Sequence, residues 1–215
     1  MINVVFEDNH LLVVVKPFNV PMQEDSSKDQ DMLSLAKAYL KEKYQKPGNV
    51  YLGLVHRLDR PTGGICVFAK TSKAAGRLSD QIRRHMMEKQ YIAIVENPSL
   101  KNEDTLTDYL LKDEKTNIVK VHPKGKYAQL SYRVLKKDKQ HAKVLIDLKT
   151  GRSHQIRVQF SSRNHPLYGD QKYNPKAINH TQLALWATTL SFQHPTTKEN
   201  LVFTVQPPDQ YPFNL

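Results

Sequence analysis

The chain has a single cysteine, Cys66, among its 215 residues. One thiol excludes an intramolecular disulfide and any cysteine-based metal cage. No apolar run approaches the ~20 residues that a membrane-spanning helix requires. The opening stretch MINVVFEDNH carries acids where a secretory leader carries bases. These absences together lead to the expectation of a cytoplasmic protein with no membrane partner. There is no Walker loop, no G-x-G-x-x-G, no H-E-x-x-H and no G-x-S-x-G. His10, His85, His122, His141, His165, His180 and His194 show no metal-ligand spacing. No metal and no cofactor are therefore expected. Internal repeats and low-complexity segments are also missing.

Acids are scarce relative to bases. There are 21 Asp and Glu against 32 Lys and Arg, a formal net charge of +11. Such an excess favours a polyanionic partner, because each basic contact to a phosphate releases a counterion. The bases are spread along the chain with no basic tail, so a folded basic face is expected rather than a disordered arm.

Periodicity supplies the elements. INVVFEDNHLLVVVKP reads as two short strands around a turn at Glu7-Asp8-Asn9, with Pro17 ending the second. Residues 31–46 read as an amphipathic helix capped by Asp31 and stopped by Pro47-Gly48. ICVFAK at 65–70 reads as a strand, and Ser72 as the cap of a helix over 73–87. Strand YIAIVE follows, then a connector at 98–104, then the short strands TLTDYLL, NIVKV, AQLSYRVL and AKVLIDL. TGRSHQIRVQFSSRN holds Ile156 and Phe160 at helical spacing, and LALWATTLSF and LVFTVQ close the chain as strands. Strands outnumber helices and come in runs, not in βαβ alternation. The class is α+β with a mixed, mostly antiparallel sheet and flanking helices. One domain over 1–215 is expected, in two lobes with a seam at 98–104.

Two stretches could carry chemistry. In VHRLDRPTGG, Asp59 stands among His56, Arg57 and Arg60. Neighbouring cations favour an ionised carboxylate, which can act as a nucleophile or base. A surface turn with local ion pairs fits the same residues. Gly63 and Gly64 allow a tight turn or close approach of a ligand. In TGRSHQIR, Arg152, His154, Gln155 and Arg157 could clamp a carboxylate or phosphate, or form a solvent-facing basic helix. Tyr91, two residues after Lys89, could stack on a base, move a proton, or simply pack. Cys66 lies in an apolar strand and reads as core.

These motifs together resemble the RluA family of RNA pseudouridine synthases. HRLDRPTGG followed by ICVFAKT looks like the family's catalytic motif. EKQYIAIV looks like its K-x-Y-x-A motif, and TGRSHQIRVQFSSRNHPLYGDQKY like its G-R-x-H-Q-I-R and H-P-[IL]-x-G-D-x-x-Y block. The matches run in order from about residue 5 to 208. There are departures: Thr62-Gly63-Gly64 stands where Thr-Ser-Gly is usual, and Asn164 and Asn174 stand where glycine is common. Asparagine tolerates left-handed backbone.

The resemblance implies the pseudouridine synthase catalytic fold without an N-terminal S4-like domain. It implies a cofactor-free isomerase acting on RNA, ribosomal or transfer, with a lean to ribosomal RNA. A monomer with no protein partner is the default. Asp59 would be the catalytic carboxylate, nucleophile or base, Arg157 its partner and Tyr91 the group stacked on uracil. Arg57 would occupy the space left by a flipped nucleotide. His56, Arg60, Lys89, Arg152, His154 and Gln155 would contact RNA. The sequence leaves three targets for Asp59: C1′, C6 or a sugar proton. A non-catalytic RNA-binding protein on the same scaffold is the rival reading.

Overall fold

The computed structural model describes residues 2–215 and divides into two compact units. One comprises residues 2–88 with Ala187–Val205, the other Lys89–Trp186 with Gln206–Leu215. The expected seam at 98–104 is thus corrected. The chain changes unit at Glu88 and returns at Ala187, and strand pairing runs through the 98–104 region from Glu103 onward. A polar connector marks a turn as readily as a boundary, so its composition was ambiguous.

The first elements are β1 (Asn3–Glu7), β2 (Leu11–Lys16), α1 (Met32–Lys43), β3 (Gly53–Leu54), β4 (Gly63–Ala69) and α2 (Ser72–Arg83). Next come β5 (Glu88–Glu96), β6 (Glu103–Asp113), β7 (Ile118–Val121), β8 (Lys126–Lys137), β9 (His141–Leu148) and α3 (Gln155–Ser161). The chain closes with β10 (Leu185–Gln193) and β11 (Asn200–Thr204).

In the first unit β2 pairs antiparallel with both β1 and β4, and β4 neighbours β10, which pairs with β11. The unbroken apolar runs of β2 and β4 explain this central placement, since a strand covered on both faces has no polar side. Leu11, Leu12, Val13 and Val14 are wholly buried, as are Cys66, Val67 and Phe68. Cys66 is core, as its strand predicted, and burial pushes its thiol up to about 12. The Asp8 carboxylate closes the β1–β2 turn by accepting from the His10 and Leu11 amides, both at 2.7 Å.

Both helices are shorter than the periodicity predicts. Asp31 caps α1 by accepting from the Ser34 amide at 3.0 Å, and left-handed Gln45 (φ 48°) ends it. The cap of α2 is Thr71, not Ser72, and left-handed His85 (φ 56°) ends it. Thr71 wins because its side chain reaches the Ala74 amide at 3.1 Å.

Gly63 and Gly64 open strand β4 instead of forming the turn. Gly64 sits at φ +117°, and a Cβ there would meet the Ala187 carbonyl oxygen at 2.2 Å. No side chain fits at that approach. In contrast Gly76 lies exposed within α2 with nothing within 4 Å of a built Cβ.

In the second unit five strands pair antiparallel in the order β5-β9-β8-β6-β7. Alternation along β6 and β8 turns Leu106, Leu110, Ala128 and Leu130 inward. Helix α3 packs there, with Val158 in the cluster of Leu110, Val119 and Ala128. The solvent-facing reading of this helix is overturned: Gln155 through Phe160 are all buried. Of the two departures at glycine positions, Asn164 is left-handed at φ 61°. Asn174 has no positive φ and instead accepts from the Lys176 amide at 3.0 Å.

Gly64→Ala is expected to destabilise by about 2 kcal/mol or more. Gly76→Ala should instead stabilise by about 0.5–1 kcal/mol, because it removes unfolded-state freedom at a helical site. Urea unfolding of both variants checks this, and a neutral Gly64→Ala would refute the close approach.

Candidate active site

The loop between β3 and β4 carries Asp59. Leu58 before it is 6% exposed and anchors the loop in the core. The Thr62 amide donates to the Asp59 carbonyl at 2.9 Å, closing a turn on its other side. Alternation then leaves Asp59 half-buried and its neighbours Arg57 and Arg60 exposed. The anchor fixes where the carboxylate stands while leaving it reachable.

His56 accepts the Val67 amide through Nε2 at 3.1 Å. A lone pair at Nε2 places the ring proton on Nδ1, so the imidazole is neutral in this bond. It ties the loop to strand β4. Arg60 is drawn the other way: its guanidinium bonds Ser27 at 2.9 Å and pairs with Asp29, with Asp25 at 3.7 Å. The ion pairs of Arg60 therefore form with the 25–29 loop.

Lys16 is the residue that sequence reasoning passed over. It ends β2 and is wholly buried. Its ammonium donates to the carbonyls of Pro17 (3.0 Å), Val20 (2.6 Å) and Arg60 (2.9 Å). Burial brings its pKa down to about 8; the charge of Asp59 opposes that fall. A Lys-Pro pair after an apolar strand was the available signal, read only as a strand end.

The second unit holds the other expected residues. Tyr91, on β5, is 7% exposed and lies opposite Ile146 of β9. Lys89 extends towards the turn at Gly151, where a Cβ would lie 3.3 Å from its Nζ, and burial lowers its pKa. Arg152 is exposed and steadied by donating from Nε to the Tyr127 carbonyl at 2.8 Å.

Gln155 does not reach outward. Its Oε1 accepts from Thr150 (2.8 Å) and the Arg152 amide (3.0 Å). Its Nε2 donates to the Gln129 carbonyl (3.1 Å) and Gln159 (3.0 Å). All four hydrogen-bonding positions are used inside the protein, so Gln155 shapes the turn that presents Arg152.

Arg157 is 5% exposed and grips Asp170 with two parallel bonds, Nε to Oδ2 at 2.8 Å and Nη2 to Oδ1 at 2.6 Å. Asp170 also accepts the Lys172 and Tyr173 amides at 3.0 and 3.1 Å. The Arg157 guanidinium carbon stands 5.1 Å from the centre of the Tyr173 ring. The Tyr173 hydroxyl accepts the Val119 amide at 2.9 Å and meets His154 Nδ1 at 2.6 Å. His154 itself is left-handed (φ 50°) at the start of α3. Asp170 had no role in the sequence reading. Its signal was the Gly-Asp-x-x-Tyr spacing, which gives a motif but not a partner. Among the described residues no cluster of His, Cys, Asp and Glu could hold a metal ion. No helix among them is long and apolar enough to cross a membrane.

Comparison with known proteins identifies the family. The family described as RNA pseudouridylate synthase matches residues 10–162. Ribosomal large subunit pseudouridine synthase C of Buchnera aphidicola subsp. Baizongia pistaciae is 32% identical over 212 residues, covering 94% of this chain and 65% of its own. Ribosomal large subunit pseudouridine synthase D of Blochmanniella floridana is 33% identical over 214 residues, covering 92% of this chain and 66% of its own. The chain thus spans about two thirds of the length of these relatives. Among solved structures, human RNA Pseudouridylate Synthase Domain Containing 4 superposes with a TM-score of 0.82 at 20% identity. It covers 96% of this chain and 88% of its own, and it bears out the fold.

Two outcomes follow from the buried ions. Lys16 should titrate near pH 8 by NMR of its side chain, and Asp59→Asn should move that midpoint lower. Its folded pKa lies below its unfolded value, so the cost of burying the ammonium is full below pH 8 and is relieved as pH rises towards 10.5. Between pH 8 and 10 the wild type should gain about 2 kcal/mol of stability relative to Lys16→Met. A pH-independent difference would contradict the buried ammonium. Asp170→Asn, by stranding the Arg157 charge, should cost about 3–5 kcal/mol in denaturant unfolding. A cost below about 1 kcal/mol would show that the pair is not buried in solution.

Proposed function

The chain belongs to the RNA pseudouridylate synthase family, and from that premise we propose that it isomerises uridine to pseudouridine within RNA. The observation that carries this reading is Asp59: a half-buried carboxylate on a loop anchored at both sides, inside the stretch the family matches. The reaction breaks the N1–C1′ bond of a uridine and forms a C5–C1′ bond. The base loses its C5 proton and N1 gains one, so no oxidant, reductant or net water is consumed.

Asp59 supplies the nucleophilic or basic carboxylate. Arg157, held rigidly by Asp170, is the partner that orients that carboxylate, and Tyr91 is the face on which the uracil stacks. Arg57, exposed beside Asp59, fills the gap when the nucleotide leaves its stack, offsetting part of an unstacking cost of a few kcal/mol. Lys89, Arg152 and His154 contact the RNA backbone near the Gly151 turn, while His56, Arg60 and Gln155 hold the loops in place. Ribosomal RNA is the favoured substrate, supported by relatives named for the large ribosomal subunit. A cytoplasmic monomer accords with that substrate.

The test is release of tritium from RNA labelled at uracil C5, because joining the ribose to C5 expels that hydrogen. Wild type should release it from ribosomal RNA. Asp59→Asn should lower the rate by at least about a thousandfold while RNA affinity stays nearly constant. Release by the variant at the wild-type rate would remove Asp59 from the chemistry. No release by either protein from total RNA would favour the binding-only rival.

A further inference from the structure

Strands β6, β7 and β8 turn one face to the core and the other to solvent. On the solvent face Tyr109 and Tyr127 lie directly opposite each other across β6 and β8. They remain 51% and 43% exposed, although Leu110 and Ala128 beside them are 4% and 0% exposed. Their rings meet at 6.0 Å between centroids, tilted by 73°. The row continues on both sides. On one, the His122 amide donates to the Tyr109 carbonyl at 2.9 Å. On the other, Arg152 Nε donates to the Tyr127 carbonyl at 2.8 Å. The neighbouring pairs are Leu111 with Lys120 and Thr107 with Gln129, so no acid enters these rows.

We propose that this row is a stacking platform for unpaired nucleotides of RNA, outside the reacting uridine's own site. A cross-strand aromatic pair can stabilise a sheet by itself. Sheet packing does not require that two large rings keep half their surface in water, nor that bases flank them. Base stacking on aromatic rings requires both: open faces for the bases and cations for the phosphates. The row also ends at Arg152, in the turn that the Lys89 side chain approaches, so an RNA strand on the platform continues to the residues proposed to bind RNA. The inference rests on RNA being the ligand.

The probe is a fluorescent single-stranded oligouridine, with a blunt RNA duplex as comparison, titrated by anisotropy. The double variant Tyr109→Thr/Tyr127→Thr keeps strand propensity and removes the rings. It should weaken single-strand binding about tenfold and leave duplex binding unchanged. Tyr109→Phe/Tyr127→Phe should bind like wild type. Equal binding by the threonine variant, or equal loss in the phenylalanine variant, overturns the platform. A measurement on wild type guards against misfolding: photocrosslinking of 5-iodouridine RNA should label Tyr109 or Tyr127. Crosslinks found only elsewhere also overturn it. If the platform is labelled but no tritium is released from any RNA, the isomerase reading fails and the platform stands.

Discussion

A buried ammonium sets the position of the loop that carries Asp59. Lys16 gives up hydration at a cost of several kcal/mol, and three backbone carbonyls take the place of water. Two of those carbonyls belong to the stretch just after β2, and the third belongs to Arg60, next to Asp59. One point charge therefore draws two loops of distant sequence together. It also places a cation behind Asp59, close enough for the Asp59 charge to act on that of Lys16. Lysine suits this task better than arginine: a compact ammonium with three donors can serve three carbonyls in a small space. Gly64 lies opposite Lys16 in the β2–β4 register, so the strand with no room for a side chain also lines up with the buried charge.

The second unit solves a similar problem with a different group. Arg157 must be held in one orientation within a buried helix, and a planar fork is the side chain that can be so held. Asp170 takes two of its N–H groups and is itself fixed by two backbone amides. The ring of Tyr173 packs against the guanidinium, and its hydroxyl ties β7 to His154. Each polar group in the network has a partner, and that is the condition under which a buried network gives rigidity rather than cost.

The fold class was legible because short strand-like stretches broken by turns, in runs and not in βαβ alternation, leave few alternatives. Asp59, Tyr91 and Arg157 could be singled out as candidates because motif spacing is local. What failed was information that spacing does not carry. Helix ends were set by left-handed Gln45 and His85, residues that propensity alone does not mark. The seam was set by long-range packing and not by the polar 98–104 stretch. Gln155 looked like a polar contact because its sequence neighbours are basic, yet the packing of α3 turned it inward. Lys16 and Asp170 were invisible as partners because a buried charge is recognised by what surrounds it, and those surroundings come from residues 44 and 13 positions away.

The net charge of +11 gains a different meaning from these placements. Lys16 and Arg157 are buried and committed to internal partners. Arg60 is matched by Asp25 and Asp29, Arg163 by Asp108, and Lys43 and Lys70 by Glu7. Glu7 answers in kind: its burial works to raise its pKa, but hydrogen bonds from both lysines and from Tyr44 and Tyr39 outweigh that and bring it to about 2. Cations spent in this way release no counterions when RNA binds. On the proposed reading, the phosphate contacts come from residues such as Arg57 and Arg152, which are exposed. The salt dependence of binding follows the number of phosphates actually met, about 0.7 per contact for a single strand in logarithmic terms, and not the net charge. Neutral stacking surfaces such as the Tyr109–Tyr127 row add affinity that salt does not screen.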